Sequence, residues 1–295
     1  MSNLVHISND SLTADVDSMG AQLMSLTLDG SEYLWQGDAR IWPRRAPVLF
    51  PIVGCLRNDH ATSKAGDVNL KRHGIARLYD HKVVKASASS VTFELVSNEQ
   101  TREAFPYDFT LNMSYAIADG ALTQTFLVTN TGNCELPFTL GGHPAFNVPA
   151  PNAEEDESFS DYEIVFDEPW CISTPAISEE GIHDFDSVTV LAEHSRHLHL
   201  SHELFEKLLT ITLYDVPGRH VRLLGPSGHG IEMSFEGFDY LGLWTASADA
   251  PFVAVEPWCG CATAKDESDV FEEKRGIITL EPGESCERAF SMRPL

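Results

Sequence analysis

Apolar and polar residues alternate along most of this chain, in short runs that recur from one end to the other. Ser11-Leu12-Thr13-Ala14-Asp15-Val16 and Ala21-Gln22-Leu23-Met24-Ser25-Leu26-Thr27-Leu28 put every second side chain on one face, as half-buried strands do. The second run stops at Asp29-Gly30, a pair that accepts the positive φ values of a tight turn. Alternation returns over 90–96, 110–117 and 122–128, and Asp119-Gly120 joins the last two as a two-residue hairpin turn. Further strands are predicted over 208–213, 220–224, 231–235 and 276–280. Helical periodicity is scarce and supports only short helices near 99–104 and 203–207. No linker divides the chain, and no repeat has the period of a propeller or solenoid. The pattern predicts an all-β fold, a large antiparallel β-sandwich with few short helices, in a single domain over residues 1–295.

Composition fits a folded chain, with 43% hydrophobic residues available for a core. Charge says more. The 20 Lys and Arg against 44 Asp and Glu give a net charge of -24, a surface that repels nucleic acid and anionic membranes. No window approaches the roughly 18 apolar residues of a spanning helix. The opening Met1-Ser2-Asn3-Leu4-Val5-His6-Ile7-Ser8 lacks the basic and apolar regions of a signal peptide. Six cysteines are too few and too scattered for a disulfide scaffold and read as reduced, mostly buried thiols. A cytoplasmic protein without nucleic-acid or membrane partners is expected, as a monomer or homodimer. The segment from Val148 to Asp161, with Glu154, Glu155, Asp156 and Glu157, reads as a solvated insertion in preference to a lid.

Two distant segments each set one titratable side chain among apolar neighbours: Gly141-Gly142-His143-Pro144-Ala145-Phe146-Asn147 and Phe252-Val253-Ala254-Val255-Glu256-Pro257-Trp258. With ordinary pKa values of about 6.5 and about 4.3, His143 and Glu256 leave a window in which an imidazolium donates while a carboxylate accepts. The stretch from Arg40 to Arg77 holds eight of the 20 basic residues. Guanidinium forks suit hydroxyls, ring oxygens or phosphate. Arg57 and Arg77 are the site candidates there, while Arg40, Arg44 and Arg72 are expected to balance surface acids. Trp258 reads equally as core or as the wall of a site. His197 and His199 would share one strand face, as metal ligands can, but a solvated strand end is the preferred account. No Walker loop, nucleophile elbow or dinucleotide fingerprint occurs.

Four segments together resemble the aldose 1-epimerase (galactose mutarotase) family, closest to its LacX-type branch. They are Pro47-Val48-Leu49-Phe50-Pro51-Ile52-Val53-Gly54, His73-Gly74-Ile75-Ala76-Arg77, Gly141-Gly142-His143-Pro144-Ala145-Phe146, and Tyr240-Leu241-Gly242-Leu243-Trp244 through Glu256-Pro257-Trp258-Cys259-Gly260. The resemblance implies a galactose mutarotase-like sandwich with an open carbohydrate cleft, a small-molecule sugar substrate, and no metal or organic cofactor. It implies Glu256 as general base, His143 as general acid, His73 as a second active-site histidine and Arg57 as a substrate-binding arginine. Arg77 and Trp258, named above from their own chemistry, join them as expected substrate-binding residues. Acid and base would stand on opposite sides of one hemiacetal and interconvert the α and β anomers of a free aldose. Two positions depart from the family pattern: Ile75 replaces a Phe, and Leu204-Phe205-Glu206-Lys207-Leu208-Leu209 has no Asp where branch members tend to carry an acidic residue shortly after the Leu-Phe pair. A hexose 6-phosphate mutarotase, suggested by Arg44, Arg45 and Arg77, and a non-catalytic carbohydrate-binding protein on the same fold are the alternatives. A His-cluster metalloenzyme ranks last.

Overall fold

A computed structural model describes residues 3–246 and 249–295. Two antiparallel sheets face each other across a shared core. The larger has nine strands, in the order His183–His199, Glu163–Ile177, His220–Leu224, Gly230–Ser234, Ser285–Pro294, Ala121–Asn130, Phe109–Ala118, Ser90–Val96 and Lys82–Ala86. The smaller runs Ile211–Tyr214, Tyr240–Trp244, Phe252–Cys259, Leu140–Gly142, Val48–Leu49, and Ala145–Asn147 also pairs with Phe252–Cys259. This is the predicted sandwich. A four-stranded sheet over Leu4–Asn9, Leu12–Asp17, Gln22–Leu28 and Ser31–Glu32 packs beside it, tied in where Tyr115 Oη donates to the Ala21 carbonyl at 2.6 Å.

Local sequence accounts for most boundaries. Asp119 and Gly120 take φ of 51° and 73°, which both positions of a type I′ hairpin turn require. Asn98 accepts from the amides of Gln100 and Thr101, and Thr101 Oγ1 accepts from the Asn98 amide, closing a capping box on the helix Glu99–Ala104. The strand predicted from 208 begins at Ile211 instead, because Ser201 caps a helix over His202–Leu208 that uses up its first residue. The longest strands, Glu163–Ile177 and His183–His199, were not predicted. Pro169 and Pro175 interrupt the first, and four register shifts between the two break the alternation.

The segment expected to be a solvated insertion is pinned down at several points. Phe159 stacks on His202 with ring centroids 3.9 Å apart, and the Ala150 amide donates to Tyr162 Oη at 2.8 Å. Cys55, Cys259, Cys261 and Cys286 are buried, Cys134 and Cys171 exposed, and all six are free thiols. No helix among the described residues is long and apolar enough to cross a membrane.

The two sheets meet closely at Gly142. A β-carbon there would lie 2.5 Å from Cζ of Phe290, a fully packed ring on the larger sheet. Gly142→Ala is therefore expected to cost about 1–3 kcal/mol of stability by overpacking. A denaturant midpoint equal to that of the parent would show that the interface yields freely.

Candidate active site

The smaller sheet is buried along the whole of Phe252–Cys259. Its odd-numbered residues Val253, Val255 and Cys259 join the main core, whereas Phe252, Ala254 and Trp258 belong to smaller clusters on the other face. Glu256 shares that second face by the two-residue period of a strand. Its neighbour strand is interrupted. Leu140 and Gly141 pair with Cys259 and Trp258, and Ala145, Phe146 and Asn147 pair with Ala254, Val253 and Phe252. The register is the same on both sides of the interruption, so His143 falls directly opposite Glu256. That is why residues so distant in sequence meet: His143 Nε2 lies 3.3 Å from Glu256 Oε1, with both side chains buried.

Glycines make room around the pair. A β-carbon on Gly242, which pairs with Glu256 on the other side, would come within 2.2 Å of Cζ2 of Trp258. One on Gly141 would come within 2.7 Å of its Cδ1. The indole thus lies across two glycine backbones, and its Nε1–H donates to Glu256 Oε2 at 3.2 Å. Trp258 is both core and cleft wall, and it orients the carboxyl group.

Aromatic rings enclose His143. Trp42 stacks on the imidazole at 5.1 Å, and Trp244 and His73 meet it edge-on at 5.5 Å. Trp42 was missed in the sequence, where nothing but its aromatic character marks it. The Trp35 indole N–H, donating to the Trp42 carbonyl at 2.9 Å, holds its turn in place. His73 stands on a turn where it and Gly74 take φ of 66° and 67°. Gly74 is needed there, since a β-carbon would lie 2.4 Å from the Phe50 carbonyl oxygen. The Gly54 amide donates to His73 Nδ1 at 3.2 Å, so a neutral His73 carries its proton on Nε2.

The cleft has a volume of about 180 Å³ and is also lined by Arg44, Arg72, Arg77, His183 and Thr210. Sites for drug-sized ligands begin near about 300 Å³, so this one suits a single small ring. Arg77 is in the cleft as expected. Arg44 and Arg72, expected to balance surface acids, line it too, while Arg40 does pair with Asp38. The structure does not bring Arg57 to this cleft. Its guanidinium is taken up by the Asp269 carboxylate and by the Ala264 carbonyl at 3.0 Å, and it lines a neighbouring depression. His197 and His199 do share a face, and both turn their Nδ1 to Glu163, at 2.9 and 3.3 Å. No group of three or more metal-ligating side chains occurs among the described residues. The departure at Glu206 lies at the edge of a second hollow beside the cleft, which shares Arg72 and Trp244 with it.

Burial dominates the electrostatics and reverses the simple expectation. It raises the Glu256 carboxyl well above its ordinary value of 4.5, against the opposing pull of the Trp258 hydrogen bond and Arg72. It lowers His143 to about 3, and repulsion from Arg77, Arg72 and Arg44 adds to the effect. Burial therefore favours a carboxylic acid beside a neutral imidazole, one proton for two groups. The expected imidazolium–carboxylate pair assumed solvent that burial has removed. His73 is likewise held neutral, by burial first and by repulsion from His143 and the arginines. The His143 imidazole and the Glu256 carboxyl stand side by side, in direct contact.

A family model described as aldose 1-epimerase matches residues 3–293. Two curated relatives from Lactococcus lactis subsp. lactis, the chromosomal and plasmid forms of protein LacX, are 33% and 32% identical over 98% of this chain and 98% of their own length. Among solved structures, a galactose mutarotase related enzyme from Lactobacillus acidophilus superimposes with a TM-score of 0.92 at 28% identity, covering 99% of this chain and 97% of its own. A galactose mutarotase-like protein from Lactobacillus casei ATCC 334 gives 0.90 at 32% identity, covering 99% and 100%.

The direction of the Glu256 shift fixes a sign. A carboxyl protonated more readily in the folded state contributes stability below about pH 4.5 that is lost as pH rises towards its folded pKa. Glu256→Gln removes that loss, so the variant should become more stable than the parent by a margin that grows as pH rises above 4.5. Paired denaturant titrations at acid and neutral pH test this. A margin that shrinks with rising pH would place the carboxyl in a charge-stabilising setting instead.

Proposed function

The chain belongs to the aldose 1-epimerase family, and on that premise we propose that it interconverts the α and β anomers of an aldose with a free anomeric hydroxyl. The observation that carries this reading is the buried contact of 3.3 Å between His143 and Glu256 on the floor of an aromatic cleft. The two oxygens that must exchange protons in this reaction, the C1 hydroxyl and the ring oxygen, are bonded to the same carbon. An acid and a base that serve them have to be neighbours.

In this mechanism the proton shared by the pair moves from Glu256 to His143 as the sugar binds. Glu256 then removes the C1 hydroxyl proton while His143 protonates the ring oxygen, and the C1–ring oxygen bond breaks. Rotation about C1–C2 presents the other face of the aldehyde, and closure reverses both transfers. The cycle leaves the protein with the protons it began with. His73, with its proton fixed on Nε2, would donate to oxygen as charge develops on it. The indole faces of Trp42, Trp244 and Trp258 suit the C–H face of a sugar ring.

Anomer exchange followed by NMR is expected to be accelerated by the parent protein. Glu256→Gln and His143→Ala should each lower that acceleration by about 10²-fold or more with the fold retained. Sugar binding without acceleration would instead favour a non-catalytic carbohydrate-binding protein. Because the active and resting pairs contain the same number of protons, the rate should stay level from about pH 5 to about pH 7. A maximum confined between the ordinary carboxyl and imidazole values would contradict the shared-proton account.

A further inference from the structure

Three guanidinium groups line the cleft of a chain in which acids outnumber bases 44 to 20. No carboxylate among the described residues comes within 4.0 Å of Arg44, Arg72 or Arg77. Arg77 Nη2 donates to the Arg72 carbonyl at 2.6 Å, and Arg72 Nη2 reaches the Glu180 carbonyl at 3.5 Å. Arg77 Nε is buried and has no partner at all. Arg72 is held against backbone, since its Nη2 lies where a β-carbon on Gly181 would come within 2.9 Å. Arg72 and Arg77 thus lean on backbone carbonyls, and none of the three guanidinium groups has a carboxylate partner among the described residues.

Resting on the mutarotase reading above, we propose that the aldose accepted by this cleft carries a phosphate group on a carbon other than C1, held by Arg44, Arg72 and Arg77. Neutral hydroxyls give no reason to gather three cations without a counter-ion, because Asn, Gln or a single Arg would serve them. A phosphate dianion presents three acceptor oxygens to guanidinium forks and offsets the mutual repulsion of the three. That repulsion is real: with burial, Arg44 and Arg72 bring Arg77 down to about 10, still charged at neutral pH. The same three cations depress His143, so an anion seated among them would ease protonation of the catalytic imidazole. The substrate's own charge would thus help make its acid catalyst. C1 is excluded as the bearer because its hydroxyl must be free to react.

The test compares NMR anomer exchange for glucose, galactose, their 6-phosphates and glucuronate. A 6-phosphate is expected to exceed its parent sugar in kcat/KM by about tenfold or more, and inorganic phosphate should inhibit competitively, less so as salt rises. Arg44→Gln, at a partly exposed position, should compress the ratio of phosphorylated to parent sugar, and Arg77→Gln should repeat the effect if it folds. Parent sugars turned over as well as their phosphates, without inhibition by phosphate, would overturn the phosphate site and leave the reaction standing. Preference for glucuronate over both would overturn it in favour of a carboxylate. Exchange of no sugar would overturn the mutarotase reading instead. Calorimetry with glucose 6-phosphate then decides the anion site: binding lost in Arg44→Gln upholds it, and no binding to the parent protein refutes it.

Discussion

A strand in the middle of a sheet, buried along its whole length, leaves any polar group on it to find partners inside the protein. Glu256 is such a group, and much of the smaller sheet answers that constraint. The Trp258 indole can reach one carboxyl oxygen only because Gly141 and Gly242 present bare backbone for the ring to lie across. His143 reaches the other because its strand is interrupted opposite Glu256 without losing register. Gly142, one residue before, is pressed against Phe290 of the larger sheet, so the position of His143 is locked to the sandwich itself.

The same constraint explains the electrostatics. Isolated from water, neither partner is favoured as an ion, and the pair keeps a single proton at lower cost than a full separation of charge. Rings of Trp42, Trp244 and Phe252 exclude solvent on one side, and arginines make the other side positive. In a chain where acids outnumber bases 44 to 20, three of the cations thus stand together in one hollow.

Much of this was legible in the chain. Alternation located the hairpin around Asp119-Gly120 and the strands Ser90–Val96 and His220–Leu224, because period two on one buried face is written directly in side-chain polarity. It failed for Glu163–Ile177 and His183–His199, where prolines and bulges scramble the period. His143, Glu256, His73 and Trp258 could be named because each sits in a distinctive local segment, and Arg77 because it ends one. The exchange of Arg57 for Arg44 and Arg72 could not be foreseen. Whether an arginine meets an acid or a cavity depends on the Asp269 carboxylate and the Gly181 backbone, which no local pattern links to them.

The pairing of His143 with Glu256 is a matter of phase. A single residue inserted into the segments 140–147 or 252–259 would turn one partner to the opposite face of the sheet. Two residues would restore the face but slide the partners apart by about 7 Å, two strand steps. Neither change can be absorbed. The loops between these segments carry no such restriction, since the contact depends on where each segment lies in the sheet and not on the length of what joins them. Descendants of this protein can therefore change length in the loops that join its strands, whereas these two short windows must be inherited without a gap.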